Sequence, residues 1–311
     1  MEAVAVISEA GALTLSGITD PLPWWSFTKT VIAIAVLRLV DNGQLNLDEP
    51  LDGVRYNLRQ LLRHEAGLAD YGALSKYHRD VAANKAPWPI ERLLAAVDAD
   101  RLRYEPGRDW AYSNVGYLKI AQLVERTTGL PLKVALEQLV FEPCDLTTAR
   151  LARTLADLDD VQMGDVRGYH PGWVFHGLVV GTVADAARLL SNLLDGHLLN
   201  PATFSEMLKG RRLPEHANAH ADAAYGLGLM LWTDNPLDRP IGHLGEGPGS
   251  KIAVLAQGSK AAAVWAASAS SLDTGEHALS LLRQSELPQI CARPSAIFAA
   301  CSFVRQKWAV R

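Results

Sequence analysis

Trp25-Ser26-Phe27-Thr28-Lys29-Thr30-Val31-Ile32-Ala33-Ile34-Ala35-Val36-Leu37-Arg38-Leu39-Val40 carries the only Ser-x-x-Lys of the chain, at the mouth of an apolar-rich run. The composition turns helical from Ser26 through Val40, and Asp41-Asn42-Gly43 supplies the left-handed residue that commonly closes a helix. Residues three apart share a helix face, so the Lys29 amine can reach the Ser26 hydroxyl at the helix N-terminus. Two roles fit the pair. Ser26 is a helix cap beside a solvated Lys29, or it is a nucleophile beside its base. A serine hydroxyl needs such a base at neutral pH, and burial or neighbouring cations can make a lysine serve. The helix dipole also favours negative charge developing beside Ser26.

Outward from this helix, Val4 to Ile7 and Ala12 to Ser16 flank Glu9-Ala10-Gly11 and predict a β-hairpin, which Pro21 and Pro23 end. Downstream, Tyr56 to Arg63 and Ile90 to Val97 show helical spacing, and Asn114 to Thr128 repeats it before Gly129-Leu130-Pro131. A further helix runs from after Gly181 to Leu194. Tyr225 to Trp232, Lys251 to Ala256 and Ala261 to Ala267 then read as antiparallel strands, the last two joined by a Gln257-Gly258-Ser259-Lys260 turn. Strands at both ends with helices between predict an α/β (α+β) fold: an antiparallel sheet flanked by helices, formed from both chain ends, with an inserted mainly helical region. The expected division is 1–56 with 176–311 for the sheet region and 57–175 for the helical region, with the site in the cleft between them.

The chain has 311 residues, 49% hydrophobic and 21% charged, with a formal net charge of −4. This is ordinary globular composition without a basic excess, so it favours a small-molecule or peptide partner and points away from nucleic acid and anionic membrane. Cys144, Cys291 and Cys301 are too few and too spread for a disulfide framework or a zinc site. Met1 to Leu15 contains Glu2 and Glu9 and lacks a basic region followed by an apolar one, so a cytoplasmic location is expected. Val31 to Val40 is interrupted by Arg38 and falls short of the roughly 20 residues of a membrane span, which predicts a buried helix. Ile290 to Arg311 is apolar with scattered basic residues, open to three roles: a surface-packed helix, a partner segment or a loose tail. Oligomeric state is left open.

Two further motifs follow in order. Pro106-Gly107-Arg108-Asp109-Trp110-Ala111-Tyr112-Ser113-Asn114 sets Tyr-Ser-Asn at the start of a strong helix, and Gly242-His243-Leu244-Gly245-Glu246-Gly247 precedes the strand from Lys251. With Ser26-x-x-Lys29, these resemble the motif trio of the serine β-lactamases of class C, the D-alanyl-D-alanine carboxypeptidases and the β-lactamase-like esterases. Leu61-Leu62-Arg63-His64-Glu65-Ala66-Gly67-Leu68 and the Asn42 to Pro50 run are also similar to that family, and the likeness extends from about Gly11 to about Leu282.

The resemblance implies a serine hydrolase that forms an acyl-enzyme on Ser26, with Lys29 and Tyr112 sharing the proton transfers and no metal or organic cofactor. A tyrosine serves as base there only if adjacent cations favour its phenolate. Asn114 is expected to orient Lys29 and bond the substrate flank, with helix capping as its competing role. The backbone amides of Ser26 and Glu246, beside Gly245, are expected to form the oxyanion hole, and His243 to assist Tyr112 electrostatically. Leu244 departs from the family, whose β-lactamases and peptidases usually place Thr or Ser there to bind a substrate carboxylate, so an ester or neutral amide gains weight. His64 and Gly67 are expected to shape a loop beneath the site. His170, Trp173 and His176 either line the cleft or pack at a junction, and Trp24 and Trp25 are an aromatic wall or core. The alternatives are a penicillin-binding-type sensor that acylates without efficient turnover, and a pseudoenzyme, since the family's usual leading helix is expected ahead of the first strand and is missing.

Overall fold

The computed structural model describes residues 1–214, 217, 222–233 and 237–284. The Ile290 to Arg311 segment, with Cys291 and Cys301, lies outside the described residues. The opening hairpin forms as expected: β1 (Glu2–Ile7) and β2 (Leu13–Gly17) pair with Ala3 opposite Gly17. The Leu22–Pro23 strand (β3) and a single 3-10 turn, Trp25–Phe27, lead into α1 (Thr28–Asp41). Every side chain from Thr28 to Leu37 is buried, so the apolar run is a helix enclosed by protein on all sides. Its end is capped as the Asn42-Gly43 pair predicts: Gly43, at φ +70, donates to the Val40 carbonyl and Gln44 to that of Leu39.

Short helices fill the middle: α2 (Leu58–Leu62), α3 (Ser75–Ala82), α4 (Ile90–Ala96), α5 (Asn114–Thr128) and α6 (Leu132–Leu136). Asn57 and Gln60 form a reciprocal capping box, which is why α2 starts at Leu58 and not at Tyr56. The predicted mainly helical stretch also holds β4 (Arg150–Ala152), and β5 (Leu178–Gly181) follows it. These two join β3 in a small sheet of order β3-β5-β4. Next come α7 (Val183–Leu194), α8 (Pro201–Leu208) and β6 (Arg211–Arg212).

The expected strand over Tyr225 to Trp232 is instead two short strands, β7 (Ala223–Tyr225) and β8 (Met230–Trp232), with a tight turn between them. Gly228 makes the turn at φ +86 and presses onto α1, where an added Cβ meets Ala33 Cβ at 2.3 Å. Its carbonyl accepts from Thr30 Oγ1 at 2.8 Å. The chain continues through β9 (Ile241–Gly247), β10 (Ser250–Gln257), β11 (Lys260–Ala267) and α9 (Thr274–Arg283).

Among the described residues the main sheet has the order β2-β1-β11-β10-β9-β8-β7-β6 and is antiparallel throughout. The two chain ends meet at β1 and β11, with Ala5 opposite Ala263. Helices cover both faces. Ile252, Val254 and Ala256 enter the main core, where α7 packs, while Ala253 and Leu255 pack with Ala278 and Leu282 of α9. A strand covered on both sides has no polar face, which accounts for its unbroken apolar sequence.

Candidate active site

Ser26 lies in the 3-10 turn ahead of α1, and the residue at the α1 N-cap is Phe27, with no side-chain cap bond. A capping role therefore does not account for Ser26. Trp25 holds a left-handed conformation at φ +42, a strained state for a residue with a Cβ. Several contacts over-determine it. Trp25 Nε1 donates to Ser250 Oγ at 3.0 Å, and its ring meets Tyr169 edge-on at 5.5 Å. From the other side β5 clamps the turn: the Trp24 amide donates to the Val179 carbonyl at 2.9 Å, and the Val179 amide to Thr28 Oγ1 at 3.0 Å.

The glycines of β9 let this turn sit on the sheet. A Cβ on Gly245 lies 2.9 Å from the Ser26 nitrogen and from the Trp24 carbonyl oxygen, and one on Gly247 lies 2.3 Å from the Trp25 ring. Gly-x-Gly in this strand is thus a steric requirement for close contact, and it brings Glu246 beside the Ser26 turn.

Two side chains, one from the start of α1 and one from 86 residues along the chain, converge on the Ser26 hydroxyl. Lys29 Nζ is 3.3 Å from Ser26 Oγ, and Tyr112 Oη is 3.0 Å from it. Lys29 is fully buried. Its amine also stands 3.2 Å from His176 Nε2 and faces the Tyr112 and Tyr117 rings, 4.9 and 5.8 Å from their centroids. Burial holds the Tyr112 phenol well above its ordinary range, with Tyr225 and Asp70 adding to the effect against the opposing Ser26 hydrogen bond. Near neutral pH Tyr112 is therefore a neutral donor to Ser26, not a phenolate. The condition under which the phenol serves as resting base is not met.

Tyr112 is fixed from behind by His64, which adopts φ +61 and stacks at 4.4 Å on its ring. His64 Nδ1 accepts the Ser113 amide at 3.1 Å, so its ring proton resides on Nε2. The loop needs Gly67 at φ +75, where a Cβ lies 2.3 Å from the Tyr104 carbonyl oxygen. Ser113, and not Asn114, caps α5, accepting from the Gly116 amide. Asn114 lines the cleft, and both its backbone amide and its Nδ2 donate to Asp70 Oδ1 at 2.9 Å.

His243 is wholly buried on β9 and bridges Tyr225 Oη at 3.0 Å and the Leu244 carbonyl at 2.5 Å. A carbonyl only accepts, so Nδ1 carries the proton and Nε2 accepts from Tyr225. Burial, reinforced by Lys29, pushes His243 down to about 3. It is uncharged at neutral pH and cannot help Tyr112 as a cation. Leu244 packs with the cluster beneath α9, away from the cleft.

The cleft has a volume of about 730 Å³ and its lining includes Ser26, Tyr112, Asn114, His176 and Glu246. Leu68, Tyr71, Leu74, Tyr77, Trp110 and Val174 give it apolar walls, with Asp70, Asp98 and Arg103 among the polar ones. Trp25 is part of the wall, whereas Trp24 is core and donates Nε1 to the Gly181 carbonyl. Of the histidine and tryptophan trio, only His176 reaches the cleft; His170 accepts the Gly172 amide and Trp173 is buried. Asp70 and Tyr225 had no motif to mark them, and His176 had no local pattern tying it to Lys29. Cys144 is buried, and burial pushes its thiol up to about 12. Among the described residues no cluster of His, Cys, Asp and Glu is arranged to hold a metal ion, and no helix is long and apolar enough to cross a membrane.

A family model described as Beta-lactamase matches residues 20–285, and the chain belongs to that family. Among curated proteins it is similar to esterase EstB of Burkholderia gladioli, with 31% identity over 167 residues, 46% of this chain and 42% of that protein. It is also similar to the lovastatin esterase of Penicillium rubens, with 26% identity over 279 residues, 72% of this chain and 68% of that protein. The chain thus matches less than half the length of the first of these relatives. Its fold is shared with a D-stereospecific amidohydrolase from Streptomyces sp. (TM-score 0.71, 22% identity, 85% of this chain and 88% of that one). It is shared as well with an octameric penicillin-binding protein homologue from Pyrococcus abyssi (TM-score 0.73, 18% identity, 89% and 71%).

Proposed function

We propose that this chain is a serine hydrolase that acylates Ser26 with an ester or neutral amide bearing an apolar acyl group. The supporting observation is the convergence of Lys29 Nζ and Tyr112 Oη on Ser26 Oγ at 3.3 and 3.0 Å in one cleft. Lys29 takes the Ser26 proton as the oxygen lone pair adds to the substrate carbonyl carbon and the carbonyl electrons move to its oxygen. Backbone amides of Ser26 and Glu246 receive that oxyanion, donors typically worth about 2.7–4 kcal/mol each. Tyr112, a neutral phenol, hands a proton to the leaving group and regains one from the Lys29 ammonium. Water then attacks the acyl-serine by the reverse route.

The apolar walls of the cleft favour a neutral substrate over one with a carboxylate. In keeping with this, the names of the relatives EstB and lovastatin esterase are those of esterases. Intact mass spectrometry after mixing with p-nitrophenyl esters, a cephalosporin and a D-alanyl peptide tests the proposal, beside a Ser26→Ala control. Transient acylation with turnover of an ester is expected. A stable adduct without turnover indicates a sensor instead, and a control that reacts as fast as the parent refutes Ser26 as nucleophile.

A further inference from the structure

We infer that His176 is the positioning residue of Lys29: its Nε2 takes one N–H of the amine and thereby aims the amine at the Ser26 hydroxyl. This rests on the acyl-serine reading above and adds a residue to it. Asn114 had been expected in this role; its Nδ2 donates to Asp70, while His176 Nε2 stands 3.2 Å from Lys29 Nζ.

Three observations carry the assignment. His176 is 3% exposed, and its Nδ1 is buried with no hydrogen-bond partner among the described residues. An orphaned ring nitrogen costs stability that an apolar side chain of like volume would spare, so packing does not explain an imidazole here. Among the described residues the one polar contact the ring makes is to Lys29. Finally, His176 is fixed by the strand that fixes the nucleophile. Gly177 turns the chain at φ +105 under Leu151, and two residues later Val179 bonds both Trp24 and Thr28. Ser26 and His176 therefore share one rigid mount.

An uncharged amine has two N–H groups and one lone pair. With one N–H committed to Nε2, the lone pair is free to face the Ser26 O–H. During acylation the Ser26 O–H bond breaks and its proton joins Lys29 Nζ. The resulting ammonium keeps its bond to Nε2, so the base does not rotate between the two halves of the reaction. Nε2 can accept throughout because burial keeps the ring neutral, and once Lys29 holds the Ser26 proton its charge opposes protonation of the ring as well.

The test compares His176→Asn with His176→Gln, since an asparagine amide ends near the Nδ1 position whereas a glutamine oxygen reaches that of Nε2. Both are polar and similar in size, so a purely structural role treats them alike. On whichever p-nitrophenyl ester the parent hydrolyses, His176→Asn is expected to lower kcat about 100-fold with KM little changed, as for a misplaced base. His176→Gln is expected to restore kcat to within about 5-fold of the parent, on the same scale of geometric sensitivity. Where turnover is slow, the rate of Ser26 labelling by a fluorophosphonate reports the same step and is expected to follow the same order. Parental rates in His176→Asn, or equal losses in the two variants, overturn the assignment. Ser26→Ala is run in parallel: full activity there refutes the nucleophile, whereas an inactive Ser26→Ala beside a fully active His176→Asn refutes only the role of His176.

Discussion

Ser26 accepts a hydrogen bond from a phenol whose proton is held tightly because the ring is buried. The sign of the effect is definite. A raised tyrosine pKa means that the donor form persists as pH rises and is lost only above the ordinary value of 10. No alkaline gain from a phenolate base is therefore expected; a rise in kcat near pH 9–10 that vanishes in Tyr112→Phe contradicts this assignment. Tyr112→Phe itself removes only the hydroxyl and is expected to lower kcat about 10²–10⁴-fold, the usual contribution of a positioned acid or base. Initial rates on the same ester measure it. At this scale the sequence was informative where chemistry is written locally, as in Ser26-x-x-Lys29 and Tyr112-Ser113-Asn114. It was silent where a contact spans distant chain: His176 is 147 residues from Lys29, and Asp70 is 44 from Asn114. No periodicity records such pairings, because they arise only when β5 and the loop after α2 close around α1.

The element that couples fold to chemistry is β9. Its Gly245 and Gly247 remove the side chains that would hold the sheet off the Ser26 turn, and Trp25 occupies the space so freed. Gly247→Ala sets a Cβ 2.3 Å from the Trp25 ring, so either the ring or the strand must shift. The expected cost is about 1–3 kcal/mol, as for overpacking in a core, with a concurrent loss of kcat because Trp25 and Ser26 move together. Urea midpoints and ester kinetics on one preparation check both; a variant that loses stability and keeps full kcat shows that the turn is not braced by Trp25. The His243-Leu244-Gly245 motif was legible as a segment, yet the function expected of His243 was not realised. The reason is environmental: an imidazole sealed between Tyr225 and the sheet does not take up a second proton near neutrality. The split of Tyr225 to Trp232 into two strands was hidden likewise, since an apolar run interrupted by glycines suits a bent strand and a tight hairpin equally well.

For the molecule as a whole, the apolar runs at the two chain ends were enough to predict one sheet, because an unbroken apolar strand such as β10 is buried only by pairing inside a protein. That same burial makes the fold sensitive to acid. His243 is driven to about 3 and His176 well below 6.5, in both cases chiefly by loss of water. Groups whose folded pKa is depressed leave the unfolded chain as the state that binds more protons below pH 6.5. Their stabilising contribution is thus complete above pH 6.5 and is lost as pH falls, for His243 until about pH 3. Asp80, held at about 2 first by its hydrogen bond from Lys85, has an ordinary value of 3.8, so its contribution is whole above that value and is lost only as pH falls towards 2, which leaves pH 5 to 6 chiefly to the histidines. Two protons taken up on unfolding correspond to a slope approaching about 2.7 kcal/mol per pH unit near pH 5. His243→Gln, which keeps a partner for Tyr225 without a titrating ring, is expected to halve that slope. Urea unfolding followed from pH 7 to 5 on parent and variant reads both numbers. A flat parental curve means that these imidazoles accept protons in the folded state, and with them goes the view of Lys29 as an amine ringed by neutral groups.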